Sequence, residues 1–334
     1  MKAMVLERQG ERLKYKTVPR PEPMEKQVLI KIEACGVCRT DLHIIDGELK
    51  NPKLPLILGH EIVGRVEELG PGANKFMKGQ RVGVPWLGYA CGRCKYCKEG
   101  LENLCDNALF TGYTLDGGYA QYCCAHEDFI LQIPEGYSSE KAAPLLCAGL
   151  IGYRSYSKAQ EAERIGLYGF GASAHIICQI AAYEGKRVYA FTRDGDREKQ
   201  EFAKRIGAYW AGGSSTMAPE PLDAAIIFAP VGSLVVRALQ STDKAGKVVC
   251  AGIYMSDIPS FPYSLLWEER QIGSVANLTR EDGKSFMQVA AKVPIELHTT
   301  AFELCKANEA IDAIRGGKIK GAAVLIPEED EHAA

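Results

Sequence analysis

The sequence predicts an α/β protein with two domains: a compact β-barrel or sandwich, and a doubly wound parallel sheet with helical crossovers. Three observations lead to this prediction. The chain has 334 residues, which is long enough for about two domains. In its first part the apolar segments are short and separated by glycine and proline, a pattern typical of a barrel or sandwich. In its second part strand patterns alternate with amphipathic helix patterns, as in a parallel sheet.

The composition excludes several classes of partner. The chain has 40 lysines and arginines against 42 aspartates and glutamates, so no excess of charge would attract nucleic acid or an anionic membrane surface. Charged residues follow Met1 too early for a signal peptide, and no run of about 18 apolar residues could span a membrane. We therefore expect a soluble cytoplasmic protein with a small-molecule substrate. In that reducing compartment, closely spaced cysteines indicate metal binding more than disulfides.

The first domain is predicted at residues 1–148. Val28–Glu33 alternates apolar and polar residues after three prolines, as expected for a strand entered through a stiff turn. Short apolar segments at Ile62–Val66, Arg81–Val84 and Gly118–Tyr122 predict further strands. The irregular loops between these strands would then carry the functional residues.

One such loop contains four closely spaced thiols, which belong to Cys91, Cys94, Cys97 and Cys105. Two gaps of two residues and one of seven allow four thiolates to surround a tetrahedral zinc ion. The alternatives are two disulfides or four ordinary buried cysteines. A reducing compartment disfavours disulfides, and a polar, lysine-rich loop offers no core for buried thiols, so we predict a closed structural zinc site.

Three residues outside this loop are candidate ligands of a second metal ion. Cys38, His60 and Cys147 make a Cys2His set, one of the combinations that catalytic zinc uses with an open fourth position. Taken singly, such residues are more often packed side chains than ligands, so the prediction depends on their neighbours. Cys35 is not needed as a ligand, and we interpret it as a small buried thiol.

The neighbours of these candidate ligands favour a catalytic site. Glu61 directly follows His60 and could act from behind the metal. Asp41 could accept a hydrogen bond from the ring N–H of His60 that does not face the metal, which would fix the orientation of the ring. Thr40 and His43 could together form a proton path, since histidine is the side chain suited to passing a proton near neutral pH.

A dinucleotide-binding turn is predicted at the start of the second domain, residues 149–282. The strand pattern Arg164–Tyr168 runs into a short glycine-rich segment, and a helix pattern follows. Gly169 would make the tight turn, Gly171 would let the backbone approach a pyrophosphate, and Ala174 would allow close packing of helix on strand. Ala172, between them, completes the candidate cofactor-binding residues of the turn.

The tip of the next strand, Arg187–Thr192, bears on the choice of cofactor. An acidic residue is expected there to bind the ribose hydroxyls of NAD, but this chain has Thr192 followed by Arg193. A hydroxyl and a cation suit a 2′-phosphate, so the sequence favours NADP(H). The alternative is NAD(H), with Arg193 as a surface charge and Asp194 or Asp196 reaching the ribose.

The rest of the chain continues the alternating pattern and then leaves it. We predict about six strands in the sheet, with the further elements helix Arg197–Ile206, strand Ala224–Phe228, helix Leu234–Gln240, and strands Lys247–Ala251 and Gln271–Val275. Residues 283–334 are expected to return to the first domain with helix Ala307–Arg315, strand Ala322–Ile326 and a frayed tail, Glu328–Ala334.

Together these motifs resemble the zinc-dependent alcohol dehydrogenases of the medium-chain dehydrogenase/reductase family, from about Lys2 to Pro327. The resemblance implies a GroES-like β-barrel catalytic domain with a Rossmann domain inserted before its last strand. It implies catalytic zinc on Cys38, His60 and Cys147, and structural zinc on the four-cysteine loop. It also implies a Thr40 and His43 proton relay, Trp86 in the substrate pocket, two zinc ions per chain, and a homo-oligomer, with a tetramer favoured over a dimer.

Two departures from the family pattern are visible. Gly321-Ala322 stands where relatives often have an arginine that contacts the pyrophosphate, so Lys320 would have to replace that contact. The missing acidic residue at Thr192 is the other departure, and it is the reason for favouring NADP(H).

The expected function is reversible hydride transfer between a primary alcohol or aldehyde and a nicotinamide dinucleotide, NADPH being favoured over NADH. Two alternatives stay open at this point. One is a polyol or secondary-alcohol dehydrogenase of the same family, and the other is a non-catalytic protein that binds zinc and nucleotide.

Overall fold

A computed structural model describes residues 1–319 and 321–328. The chain divides into two compact units. The first unit comprises Met1–Cys147, Thr279–Ala291 and the described part of Leu297–Ala334. The second comprises Ala148–Leu278 and Lys292–Glu296. The domain limits predicted from the sequence stay a prediction. Among the described helices, none has the length and apolar character needed to cross a membrane.

The first unit is rich in short strands. Up to residue 147 these strands are β1 Lys2–Leu6, β2 Lys14–Thr17, β3 Gln27–Val37, β4 Leu56–Ile57, β5 Glu61–Leu69, β6 Arg81–Val84, β7 Leu87–Tyr89, β8 Leu109–Phe110, β9 Tyr122–His126 and β10 Leu131–Gln132. Its helices in this range are α1 Arg39–Ile45, α2 Lys95–Lys98 and α3 Ser139–Ala142.

The second unit alternates strand and helix. Its helices are α4 Ala148–Ser157, α5 Ala172–Tyr183, α6 Arg197–Arg205 and α7 Ser233–Ser241. Its strands are β11 Arg164–Tyr168, β12 Arg187–Thr192, β13 Trp210–Gly213, β14 Leu222–Ile227, β15 Thr242–Cys250 and β16 Gln271–Ser274. The chain then adds to the first unit the elements α8 Arg280–Ala290, β17 Thr299–Glu303, α9 Ala307–Arg315 and β18 Ala322–Ile326.

Strand β3 is the centre of the first unit. It pairs with β5, β9 and β18 in a seven-stranded sheet whose hydrogen-bonded path is β10-β6-β5-β3-β18-β17. Strand β18 runs antiparallel to β3 and pairs Ala323 with Val37. Two smaller sheets, β2-β1-β4 and β7-β8, accompany it. Closure of these strands into a barrel stays a prediction.

The sheet of the second unit confirms the doubly wound prediction. Its strands are parallel in the order β13-β12-β11-β14-β15-β16, so the order reverses beside β11, as it does in a Rossmann fold. The aromatic rings of Tyr168 and Phe191 stack at 4.0 Å in the buried core of this sheet.

Several predicted elements differ from the observed ones. The strand predicted at Gly118–Tyr122 is wrong, because Gly118 and Tyr119 donate their backbone N–H groups to Gly59 and Leu58 instead of joining the sheet. The strand β9 begins only at Tyr122. Helix α8 and strands β13 and β17 were not predicted, since their sequences are short or polar.

The predicted frayed tail is also corrected at its first residue. The carbonyl of Glu328 accepts a hydrogen bond from Gln121 Nε2 at 3.1 Å, which holds Glu328 against the first unit. The remaining residues of the predicted tail, 329–334, lie outside the described residues. So does Lys320, the proposed replacement for the pyrophosphate contact.

Candidate metal and nucleotide sites

The first unit brings four possible metal ligands together: Cys38, His60, Glu61 and Cys147. One ligand atom from each lies within 4.8 Å of the others. The sulfur atoms of Cys38 and Cys147 are 3.6 Å apart. Since zinc–sulfur bonds of about 2.3 Å in a tetrahedron place two sulfurs roughly 3.8 Å apart, these thiols fit a shared zinc ion.

Local structure places each of these side chains. Cys38 is the N-cap residue of α1, directly after β3, while Glu61 begins β5 and pairs with Gly36 of β3. A Cβ atom on Gly36 would lie 1.9 Å from Glu61 Oε2, so only glycine leaves room for this carboxylate. His60 is almost fully buried, and Cys147 follows a short 3-10 turn that ends at Leu146.

The protonation of these groups reflects their contacts. The hydrogen bond with Cys147 lowers the pKa of Cys38 well below its usual range, and the same contact raises the pKa of Cys147. Burial raises the pKa of Glu61. Burial opposes a charge on His60, but the nearby Asp41 carboxylate raises its pKa well above the ordinary value. Because ligands must lose their protons to bind a cation, metal affinity here should fall as the pH falls.

Asp41 lies behind His60 and is fully buried. Its Oδ2 atom accepts hydrogen bonds from the Cys38 N–H at 2.8 Å and from the Tyr119 hydroxyl at 3.0 Å. Its Oδ1 atom is 3.6 Å from His60 Nδ1. With Nδ1 turned toward this carboxylate, the Nε2 atom of His60 is left to bind a metal ion.

Thr40 and His43 lie three positions apart on α1, which places them on one side of the helix. The Thr40 hydroxyl is 3.6 Å from Cys38 Sγ. The His43 ring bonds through Nδ1 to the carboxylate of Glu48. The role of Thr40 and His43 as a proton relay stays a prediction.

Trp86 packs against the same group of candidate ligands. Its ring meets the His60 ring edge-on at 5.0 Å. Phe110 and Tyr113 stack on Trp86 at 5.2 and 5.7 Å, and so an aromatic wall adjoins the candidate metal site.

The second thiol group is Cys91, Cys94, Cys97 and Cys105, whose sulfur atoms also lie within 4.8 Å of one another. The sulfurs of Cys91 and Cys97 are 4.0 Å apart, close to the spacing that a tetrahedral zinc ion requires. All twelve cysteines of the chain are free thiols, so the disulfide alternative is not realised. This group therefore fits a zinc ion held by four thiolates.

Backbone groups prepare this loop for a cation. The N–H groups of Arg93 and Cys94 lower the pKa of Cys91 to about 6, so this thiol is ionised at neutral pH. Burial raises the pKa of Cys97 to about 12. Within the same loop, the buried Glu102 carboxylate accepts hydrogen bonds from the backbone N–H and the Nε atom of Arg280, at 3.0 and 2.9 Å.

In the second unit, the glycine turn joins β11 to α5. Gly169 has φ +89°, and a Cβ atom there would lie 2.7 Å from Ala229 N, so this position requires glycine. Gly171 is the N-cap of α5, and a Cβ atom there would meet nothing within 4 Å, which leaves the backbone open to a ligand. Ala172 is exposed beside it, and Ala174 is fully buried. A role in binding the cofactor stays a prediction for all four residues.

The tip of β12 differs from the sequence-based interpretation at Thr192. Its hydroxyl group is buried, donates to the Arg193 carbonyl at 2.9 Å, and accepts from Gln200 Nε2 at 3.1 Å. Asp194 accepts from the Ser215 N–H at 3.1 Å. Asp196 caps α6 by accepting from the Lys199 N–H at 3.1 Å.

The side chain of Arg193, by contrast, is exposed. In the described part of the chain no hydrogen bond or ion pair of its guanidinium group is seen. The guanidinium group of Arg193 is therefore not held by the described residues, unlike the side-chain polar groups of Thr192, Asp194 and Asp196.

Comparison with known proteins decides the family. Residues 24–135 match the alcohol dehydrogenase GroES-like domain family. A probable alcohol dehydrogenase AdhA from Mycobacterium tuberculosis is 45% identical over 317 residues, covering 92% of this chain and 90% of that protein. The chain belongs to the zinc-dependent alcohol dehydrogenases of the medium-chain dehydrogenase/reductase family. It is accordingly an oxidoreductase that acts on alcohols with a nicotinamide cofactor.

Solved structures agree with this family and fold. A CAD from Helicobacter pylori in complex with NADP(H) has a TM-score of 0.87 at 25% identity, with 97% of each chain covered. An acetophenone reductase from Geotrichum candidum in complex with NAD has a TM-score of 0.85 at 27% identity, covering 97% of this chain and 96% of that one. The GroES-like and Rossmann architecture predicted from the sequence is thus confirmed for this alcohol dehydrogenase.

Sequence reasoning missed several contributors to the candidate site, among them Gly36, Phe110 and Tyr113. Gly36 could have been found, since a glycine inside a strand often marks a close approach of another group. Phe110 and Tyr113 lie in a loop far from Trp86 along the chain. Nothing in the sequence indicates their stacking.

Tyr119 offers a test of how the candidate ligand His60 is held. We expect Tyr119→Phe to weaken zinc binding at this site by roughly tenfold, because the variant removes one of the two hydrogen bonds that orient Asp41 behind His60. Zinc affinity would be measured by competition with a chelator. Tyr137→Phe, which removes a hydroxyl bonded to the Ala290 carbonyl at 3.0 Å, is the matched control and should leave zinc affinity unchanged. Equal affinities for the two variants would contradict the role of Tyr119.

Proposed function

We propose that this alcohol dehydrogenase carries out zinc-dependent, reversible oxidation of small primary alcohols to aldehydes, with NADP(H) as the favoured cofactor. The observation that carries the proposal is the group of Cys38, His60 and Cys147, which has the ligand set and the sulfur spacing of a catalytic zinc site. A non-catalytic zinc and nucleotide-binding protein has no need of such a set.

A zinc ion held by these three residues would supply a Lewis acid that favours loss of the alcohol proton. The chain's own residues would perform the other tasks. Asp41 and Tyr119 would orient His60, while Thr40 and His43 would carry the proton toward solvent. The carboxylate of Glu61 lies beside the three ligand atoms, and we propose that it influences the metal ion without being one of its three direct protein ligands.

The aromatic wall beside this group supports a preference for small or flat substrates. Trp86, Phe110 and Tyr113 present stacked ring faces, which suit an aliphatic or aromatic primary alcohol better than a bulky or strongly polar one. A secondary-alcohol or polyol dehydrogenase stays the alternative. The acetophenone reductase among the similar structures is a reason to include a ketone in the assays.

The strand tip of the second unit supports NADP(H), although for a reason that differs from the one drawn from sequence. The hydroxyl of Thr192 and the carboxylates of Asp194 and Asp196 all bond to other parts of the chain, so the exposed Arg193 is what a ribose 2′-phosphate would meet. Relatives of similar fold are in complex with either cofactor, so this preference depends on the residues at the strand tip.

The function is tested by following the nicotinamide absorbance at 340 nm. Purified protein would be supplied with NADP or NAD and with ethanol, benzyl alcohol, 2-propanol, sorbitol and, in the reverse direction, acetophenone. The proposal predicts the highest kcat/KM with a primary alcohol and NADP. Turnover that is confined to sorbitol or to the secondary alcohol and ketone would contradict it.

Arg193 should determine the preference between the cofactors. We expect Arg193→Ala to weaken NADPH binding by roughly ten- to a hundredfold, because a guanidinium makes charge-assisted hydrogen bonds to a 2′-phosphate, and to change NADH binding little. The measurement is the ratio of kcat/KM for NADPH to that for NADH. The matched control is Arg205→Ala, which removes an exposed arginine at the last residue of α6, at the end of the helix that is farther along the chain from Arg193. A wild type that prefers NADH would refute this interpretation.

Three further properties belong to this proposal. We propose that each chain binds two zinc ions, one at Cys38, His60 and Cys147 and one at the four-cysteine loop. We also propose that the protein is a homotetramer and that it is located in the cytoplasm. Metal analysis and sedimentation would test the first two.

A further inference from the structure

The turn after helix α1 presents a carboxylate to the proposed relay histidine. Glu48 Oε2 bonds to Nδ1 of His43. The His43 side chain is 18% exposed and that of Glu48 is 51% exposed. One end of this pair thus faces the protein, and the other faces water.

The turn itself is well fixed. Gly47 has φ +78°, which allows the chain to reverse, and the Glu48 N–H donates back to the His43 carbonyl at 2.9 Å. Both oxygens of Asp46 accept hydrogen bonds from Arg315, at 2.7 and 2.8 Å. The carboxylate of Glu48 is therefore held close to His43 by the fold and not by its hydrogen bond to the ring alone.

This contact decides which ring nitrogen of His43 carries the hydrogen. An ionised carboxylate only accepts hydrogen bonds, so Nδ1 of His43 must be the donor. A neutral imidazole has one N–H, and its Nε2 atom is then left with a lone pair. That is the form required of a histidine that is to accept a proton leaving the alcohol by way of Thr40.

We propose that Glu48 is a positioning residue of the proton path: it fixes His43 with hydrogen on Nδ1 and balances the charge that His43 gains on accepting a proton at Nε2. This proposal rests on the proposed function. One proton enters the ring at Nε2, the ring becomes a cation beside the Glu48 carboxylate, and one proton then passes to solvent water, which restores the neutral ring. The other charges nearby, Asp46 and Arg315, pair with each other and offset one another.

The test compares Glu48→Gln and Glu48→Ala in the full-length enzyme with its metal. We expect Glu48→Gln to keep hydrogen on Nδ1, because the amide oxygen still accepts, but to lower kcat for alcohol oxidation by about tenfold through loss of the charge. Glu48→Ala removes both the hydrogen-bond acceptor and the negative charge. In this variant we expect a mixture of the two His43 tautomers and a larger fall in kcat, while KM for the alcohol stays near the wild-type value. Both variants should change the pH profile of kcat. Imidazole ¹⁵N chemical shifts report the tautomer independently of activity.

Glu68→Gln is the matched control. It removes an exposed carboxylate of the same unit, which pairs with Arg20 at 2.6 Å and bonds to no histidine within residues 1–319 and 321–328. The proposal would be overturned if the neutral His43 ring of the wild type carried its hydrogen on Nε2. It would also be overturned if Glu48→Ala had the same His43 tautomer and the same kcat as the Glu68→Gln control. An active wild type whose turnover is unchanged by His43→Gln would overturn the proton path, and this proposal with it, but not the proposed function. A wild type without turnover would overturn the proposed function, and the tautomer would still decide whether Glu48 positions the ring.

Discussion

Replacement of Cys147 by serine is expected to abolish alcohol oxidation, with a loss on the order of 1,000-fold or more in kcat/KM. The sulfur of Cys147 is 3.6 Å from that of Cys38, and a serine hydroxyl at this position cannot supply the second thiolate. Mutation of a residue that only hydrogen-bonds to a zinc ligand typically lowers metal affinity or activity by about 10- to 100-fold, and loss of a ligand itself should have a larger effect. The fold and the metal of the four-cysteine loop should be retained, because the two groups share no residue.

Metal content and activity together check this expectation. The variant should contain about one zinc ion fewer than the wild type, and Cys124→Ser, which changes a half-buried cysteine outside both groups, should match the wild type in both respects. An inactive, folded Cys147→Ser enzyme with the full wild-type zinc content would show that Cys147 is not a ligand.

Replacement of Cys94 by alanine should affect stability before it affects chemistry. Structural zinc contributes directly to folding free energy, and Cys94 also caps helix α2 by accepting a hydrogen bond from the Cys97 N–H at 3.5 Å. We expect a loss of several kcal/mol in the free energy of unfolding. This corresponds to a fall of about 10 °C in Tm for a domain of ordinary size.

The effect should spread beyond the loop through Glu102. This residue lies between Cys97 and Cys105, and its carboxylate binds the first residue of α8, Arg280. Hydrogen exchange should therefore quicken in the first turn of α8 as well as in the loop. Cys305→Ala, outside both thiol groups, serves as the control. If Cys94→Ala melts at the control temperature and keeps its zinc, the four thiols are not a structural site.

Elements with strong periodicity could be predicted from the sequence. Strand Arg187–Thr192 and helix Ala307–Arg315 are observed with the predicted limits, because each has a clear apolar pattern and a clear end. The group of Cys91, Cys94, Cys97 and Cys105 could also be predicted, since thiolates at such spacing have few uses outside metal binding and disulfides. The group of Cys38, His60 and Cys147 has no such spacing and was predicted from the neighbours of its residues.

The orientation of individual side chains could not be predicted. Sequence shows a hydroxyl at Thr192 but not that it turns inward to Gln200 and Gly212. Likewise, the pairing of Glu48 with His43 depends on a turn whose geometry is set by Asp46 and the distant Arg315. Such features depend on contacts between residues that are far apart in the chain, on which periodicity gives no information.

The pairing of β18 with β3 has a consequence for biosynthesis. Ala323–Leu325 pairs with Cys35–Val37, the segment that leads directly into Cys38. When the ribosome has synthesised the chain only as far as His60, strand β3 still lacks its neighbour β18. The parallel sheet of the second unit is different, because its strands come from one continuous stretch of chain, Arg164–Ser274, and can pair as soon as that stretch emerges. We therefore expect the second unit to fold first during translation, and the first unit to become protease-resistant only after residues 322–326 are released from the exit tunnel.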